Sequence, residues 1–293
     1  MRTVPPRRLI FSGGGIRVIS YLGVIEVLEE KGLLKHVKEF CGVSAGALVC
    51  LMLALEYKLH IIKNLCFQYD FSEVRSVEPE DTLEFLENYG IDTGEKLQLL
   101  IEKILKHKGH KPLVTFAELA AAGAKSIRMW ASDIQNMRPI EFSAAKTPDI
   151  SVSFALRASM AVPFYFIPLR HPETNALLVD GAIFDNYPIS HLTDLEAEDS
   201  LGFTFGFHKF PQPVDSIGDF LGLINSGYYI PSYKKLVERH RYRTIVIPCN
   251  EFPALHFEAT VEERQLLVTT GRQAAEDFLT KGQIKPQRRH SVS

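Results

Sequence analysis

Residues 37–55 read VKEFCGVSAGALVCLMLAL. The opening VKEFC has the short apolar character of a strand, and ALVCLMLAL, Ala47–Leu55, that of a helix. Between them GVSAG places Ser44 in a G-x-S-x-G setting, with Gly42 and Gly46 as small neighbours that let a strand-to-helix turn close sharply. A serine on such a turn presents its hydroxyl at the sheet edge. There the helix N-terminus favours developing negative charge. Ser44 is therefore the candidate nucleophile. The apolar run is far shorter than the ~20 residues that a bilayer span needs, and Glu56 closes it, so it is expected to be a buried helix.

Upstream, RRLIFSGGGIR (7–17) repeats the design: a strand over Arg8–Ser12 runs into three glycines. The segment 17–34 then carries apolar Ile19, Leu22, Ile25, Val27 and Leu28, and charged Glu26, Glu29, Glu30 and Lys31, at helical spacing. Gly32 supplies a stop. Strand, glycine turn and helix, twice in succession, predict an α/β fold with a mainly parallel sheet. Ordered glycine costs roughly 0.5–1 kcal/mol in backbone entropy, so three together need a reason. If Ser44 attacks an ester, backbone amides of Gly13, Gly14 and Gly15 can turn toward the developing oxyanion. The competing reading is a phosphate-binding loop, but SGGGIR lacks the lysine and Ser/Thr of G-x-x-x-x-G-K-[ST].

The rest of the chain extends one domain. Lys63–Ala124 reads as mostly helical, with TLEFLENYG (82–90) and KLQLLIEKILKHKG (96–109) amphipathic. KSIRMWASDI (125–134) and RPIEFSA (138–144) read as paired strands, LGFTFGFH (201–208) and YRTIVIPC (242–249) as late strands, and 260–280 as a closing helix. With 293 residues, 46% of them hydrophobic, and no Pro/Gly/Ser-rich linker, a single domain over 8–280 with a disordered tail at 281–293 is expected. A net charge of −2 argues against nucleic acid as a partner. Cys41, Cys50, Cys66 and Cys249 lack metal-type spacing and read as free buried thiols of an intracellular protein. No signal peptide is visible. The helical stretch 94–111 has a charged face that suits solvent better than a membrane surface, and the basic end RRHSVS (288–293) resembles a kinase site.

A serine nucleophile needs a base. Asp180 closes the apolar run of LLVDGAIFDNYP (177–188) and enters a small-residue turn, where an aspartate is as readily a turn former as a base. His208, His240 and His256 lie late enough for a Ser–acid–His order but stand in no small-residue turn. The residues alone leave that choice open, and also leave open a silent lipid-binding module.

Four motifs in order, FSGGGIR (11–17), GVSAG (42–46), ALRASMAVPFYFIPL (155–169) and VDGAIFDNYPI (179–189), resemble the patatin-like phospholipase family over about Arg8–Thr280. The resemblance implies a three-layer α/β/α sandwich and a metal-free, cofactor-free lipid acyl hydrolase. Its substrate is a phospholipid or other acyl lipid, met by peripheral membrane contact from the cytoplasm. It implies Ser44 as nucleophile, Asp180 as base without histidine, and an oxyanion hole from the backbone of Gly13, Gly14, Gly15, Ile16 and Arg17. Ser159 and Pro163 read as supports and Asp185 as structural. Two positions depart from the pattern, Ser12 where aspartate is usual and Val18 where glycine is, and Val18 bears on the loop's shape. SMAVPFYFIPL (159–169) and LGFTFGF (201–207) are candidates for an acyl pocket or for plain core.

Overall fold

A computed structural model of the chain describes residues 5–76, 87–206, 232–249 and 251–281. Its centre is an eight-stranded sheet. Five strands run parallel in the order β10 (Thr244–Ile247), β9 (Ser200–Phe205), β1 (Arg8–Phe11), β2 (Glu39–Val43) and β4 (Ser126–Asp133). Then come β8 (Leu177–Asp180) and β7 (Leu169–Arg170), each antiparallel to its neighbour. β5 (Arg138–Ser143) pairs antiparallel with β4. The parallel strands are buried over most of their length because helices or loops cover both faces.

Alternation along each strand sends side chains to opposite faces. Leu9 and Phe11 join Phe40, Phe203 and Ile245 in the larger cluster, under α1 (Ser20–Glu30), α2 (Ala45–Ala54) and α8 (Val261–Thr280). Ile10, Cys41 and Val43 face the other way, onto Trp130, Tyr187, Ile189, Ala197 and Val237. The result is three layers. α2 is buried on nearly every side, as its unbroken apolar sequence demands. α1 and α8 touch backbone to backbone: a Cβ on Gly23 would lie 1.9 Å from the Val268 carbonyl oxygen.

The middle is helical as expected, through α3 (Leu59–Gln68), α4 (Glu95–His107) and α5 (Phe116–Ala121). It also holds a short strand, β3 (Gly90–Asp92), that pairs with β6 (Phe164–Phe166) in a separate two-stranded sheet. Gly90 thus opens a strand where the amphipathic pattern of 82–90 predicts helix, and residues 82–86 lie outside the described ones. The apolar 153–170 segment begins as a helix, α6 (Val152–Ser159), whose N-cap Ser151 accepts from the Phe154 amide. A short helix, α7 (Asp194–Glu198), precedes β9. α4 buries Leu97, Leu100, Ile101, Ile104 and Leu105 and turns its charges outward. All four cysteines are free; three are buried and Cys66 is half-buried. Residues 282–293, Phe207 and His208 lie outside the described residues. Among the described residues no helix is long and apolar enough to cross a membrane.

Candidate active site

β2 ends at Val43, and Ser44 makes the turn into α2 with φ 53° and ψ −135°. A non-glycine residue reaches such a φ only when its surroundings enforce it. Here the flanking glycines do so. A Cβ on Gly42 would come within 2.6 Å of the Cys50 sulfur, and one on Gly46 within 2.4 Å of the Ser12 carbonyl oxygen. The turn is also held from outside. The Ser44 amide donates to Ser159 Oγ at 2.9 Å, and Ser159 Oγ donates to the Trp130 carbonyl at 2.6 Å. Ser159 is the support it was expected to be.

Asp180 arrives by register. β5 occupies one edge of β4 across Arg128–Asp133. The other edge is shared: β2 pairs with Ser126–Trp130, and β8 continues with Ala131–Asp133 in the opposite direction. The C-terminal ends of β2 and β8 therefore meet head to head, Val43 opposite Trp130 and Asp180 opposite Ala131. Residues 136 apart in sequence are joined there, and Ser44 Oγ donates to Asp180 Oδ2 at 2.5 Å. Asp180 Oδ1 accepts from the Ala182 amide at 2.8 Å, and the Asp180 amide donates to the Ala161 carbonyl at 2.7 Å. Gly181 lets the turn press on β4: a Cβ there would lie 2.3 Å from the Trp130 carbonyl oxygen. Both side chains are buried, Ser44 at 7% exposure and Asp180 at 3%. Burial pushes the Asp180 carboxyl up to about 7, against the opposing pull of its bonds from Ser44 and Ala182.

The glycine loop lies beside Ser44. A Cβ on Gly13 would meet Ser44 Cβ at 2.9 Å and Asn186 Oδ1 at 2.6 Å. Gly14 faces the Phe205 ring, and Gly15 sits at φ +55° against the Ala254 carbonyl. The expected set of five amides does not survive as a set. The Ile16 amide donates to the Ala254 carbonyl at 2.9 Å and the Arg17 amide to the Gly14 carbonyl at 3.2 Å, so both are already used. Gly13, Gly14 and Gly15 donate to no carbonyl among the described residues. Arg17 braces the loop instead. Its Nε donates to the Gly14 carbonyl at 3.2 Å and its guanidinium stacks 5.0 Å from the Phe205 ring centroid. Val18 lies in an ordinary right-handed turn within Gly15–Ile19, so this loop needs no glycine there. Ser12 is buried and shares a hydrogen bond with the Tyr21 hydroxyl at 2.9 Å.

The late histidines have other tasks. His256 approaches Glu263 at 3.4 Å, at the N-terminus of α8. His240 offers its carbonyl to Thr244 Oγ1 at 2.9 Å. Among the described residues no histidine bonds to Ser44 or Asp180. Asp185 accepts from the Tyr187 amide at 2.8 Å and from Ser190 Oγ, and faces His191, all within its own loop. Leu201, Phe203 and Phe205 belong to the core, which removes most of 201–207 from an acyl pocket. Phe164 remains 51% exposed, just past Pro163 and close to the Ala161 carbonyl that anchors Asp180. No group of three or more His, Cys, Asp or Glu among the described residues is placed to hold a metal ion.

A model of the family described as Patatin-like phospholipase matches residues 9–193. The chain is 27% identical over 289 residues to YqhO of Bacillus subtilis, covering 92% of this chain and 97% of that one. It is 24% identical over 183 residues to the probable lipid hydrolase 463L of Invertebrate iridescent virus 6, covering 62% of each. Among solved structures, VipD from Legionella pneumophila superposes with a TM-score of 0.65 at 19% identity, over 95% of this chain and 67% of VipD. The chain belongs to the patatin-like phospholipase family.

Proposed function

We propose that this protein is a serine lipid acyl hydrolase of the phospholipase A or lysophospholipase type. The observation that carries the reading is the 2.5 Å hydrogen bond from Ser44 Oγ to a buried carboxylate, made at a strained turn on a helix N-terminus. Asp180 Oδ2 takes the serine proton as Oγ attacks the ester carbonyl. A carboxylate within hydrogen-bond reach needs no imidazole between them. The oxyanion is met by the amides of the glycine loop, Gly14 and Gly15 foremost, which are held in place before the reaction begins. Protonated Asp180 then gives its proton to the departing lysolipid or glycerol oxygen. Water attacks the acyl-enzyme and loses its proton to Asp180, which passes it to Ser44 Oγ as the bond from Oγ to the acyl carbon breaks and the fatty acid leaves. The family and the lipid hydrolase among the relatives support a lipid ester as substrate. The exposed aromatic Phe164, near Asp180, suits contact with a lipid surface.

The test is labelling of Ser44 by a fluorophosphonate, together with identification of the acids released from mixed phospholipids, lysophospholipids and triacylglycerol. Labelling elsewhere, with no acid released from any of them, would reject the reading.

The pH dependence follows from Asp180. A base must be ionised, and burial holds this carboxyl up to about 7. Below that value kcat is expected to rise about tenfold per pH unit, and to level off above it. Stability runs the opposite way. The folded carboxyl keeps its proton where the unfolded one, near 3.8, has lost it, so Asp180 weakens the fold progressively from about pH 4 to pH 7. Asp180→Asn has no proton to lose. Its melting temperature relative to the unaltered protein is expected to be higher at pH 8 than at pH 4. A difference that does not vary with pH would contradict the buried-carboxyl account.

A further inference from the structure

We propose that Asn186 is a positioning residue that holds the Gly13–Gly14 peptide and so sets the direction of the Gly14 N–H; this rests on the reading of Ser44 and its glycine loop above. Asn186 Nδ2 donates to the Gly13 carbonyl at 3.2 Å, the one bond this carbonyl receives from a distant part of the chain among the described residues, beside a 3.3 Å contact from the adjacent Ser12 Oγ. A carbonyl oxygen only accepts, so the atom facing it must be the amide nitrogen. Asn186 Oδ1 then turns toward the Gly13 Cα, where it is buried with no hydrogen-bond partner among the described residues. A buried acceptor without a donor destabilises a fold, and an apolar side chain of similar size would avoid that cost. The amide is kept all the same, and the bond it makes is the one to Gly13.

That bond has leverage because of where it falls. The peptide unit is planar and trans, so the Gly14 N–H points opposite to the Gly13 carbonyl. Neither Gly13 nor Gly14 has a Cβ to limit rotation of this unit. Its orientation must therefore be imposed from outside. The next peptide is imposed in the same manner by Arg17, which bonds the Gly14 carbonyl through both its amide and its Nε. Asn186 is itself well anchored. Asp185 on one side accepts from the Tyr187 amide at 2.8 Å. Tyr187 on the other is fully buried and its hydroxyl shares a hydrogen bond with Thr244 Oγ1 at 2.8 Å. A path of fixed groups thus runs from β10 through Tyr187 and Asn186 to the loop beside Ser44. Asn186 acts through Gly13.

Two variants test this, with kcat and KM counted per folded molecule and melting measured alongside. Asn186→Leu removes the donor. It is expected to lower kcat about 10²-fold, the scale of one lost oxyanion donor, with KM changing less than about threefold. Asn186→Asp keeps the shape. Its protonated carboxyl can still donate to the Gly13 carbonyl, whereas the carboxylate cannot and also repels the oxyanion. The ratio of its kcat to that of the unaltered protein is therefore expected to rise as pH falls. A residue that only supports the fold would give a ratio that does not change with pH. Near-normal kcat in Asn186→Leu, or a constant ratio in Asn186→Asp, overturns the proposal, and if the Leu variant does not fold the ratio decides alone. Ser44→Ala is run in parallel: retained hydrolysis there would reject the nucleophile assignment instead and leave Asn186 out of the matter.

Discussion

Ser44→Ala, Asp180→Asn and the double variant are expected to lose activity alike, each by at least about 10⁴-fold, while all three stay folded. The reason is that the pair is one device. Ser44 Oγ and Asp180 Oδ2 share a hydrogen bond at 2.5 Å inside a site from which water is largely excluded. A serine without the carboxylate keeps its proton and attacks poorly, and a carboxylate without the serine has nothing to activate. Residues that act as a unit show strongly non-additive losses, so the double variant is expected to fall within a few-fold of either single one. Single His→Ala changes at His208, His240 and His256 are expected to retain most activity. For the two that are described, the side chain serves a helix cap or the carbonyl serves a strand residue. Asp185→Asn is the internal control. The replacement keeps an acceptor for the Tyr187 amide, so stability falls modestly and turnover persists. Steady-state kinetics with each variant, scaled by the concentration of folded protein, decides the matter. An active Asp180→Asn beside one dead histidine variant would move the protein to a Ser–His–Asp mechanism.

Gly14→Ala and Gly15→Ala are the second pair, expected to cost about 10²–10³ in kcat through the oxyanion but to differ in stability. At Gly14 the obstacle is a side chain. A Cβ would lie 2.1 Å from the edge of the Phe205 ring, which also stacks on Tyr21 at 5.1 Å. The ring can give way, so Gly14→Ala is expected to fold while its loop is displaced. At Gly15 the obstacle is backbone. A Cβ would lie 1.8 Å from the Ala254 carbonyl oxygen, and φ is +55°. That same carbonyl holds the Ile16 amide, so relief of the clash unseats the loop. Gly15→Ala is expected to lose both turnover and several degrees of melting temperature. Thermal melts with kcat on a soluble short-chain ester separate the two effects. If both variants melt normally and turn over at near-normal kcat, the glycine loop is not the oxyanion site.

Much of this was decided by the chain locally. Strand, glycine turn and helix repeated over Arg8–Leu55 dictate a parallel sheet, because period and apolar run length depend on neighbours a few residues away. The elbow is partly local: Gly42 is kept small by Cys50 in the helix that follows, whereas Gly46 is kept small by the Ser12 carbonyl just past β1. Other facts needed the folded chain. From its own turn Asp180 is as good a turn former as a base, and motif order had to point to it. What brings it to Ser44 is the shared edge of β4, where two strands of opposite direction end against each other. No local pattern encodes register across 136 residues. The same holds for the loop amides. The residues mark three glycines and the family resemblance extends them to five positions, Gly13 to Arg17, but Ala254 claims one amide and the Gly14 carbonyl another. Asn186 passed unremarked beside Asp185, since a polar residue in a turn has ordinary local reasons to be there. Residues 201–207 read as core more readily than as pocket, but an apolar strand does not say what covers it; packing made Leu201, Phe203 and Phe205 core. The chain by itself determined most of the elements and the candidate nucleophile. Tertiary structure decided which distant groups reach that nucleophile, because hydrogen bonds and packing act over a few ångströms of space and not along the sequence.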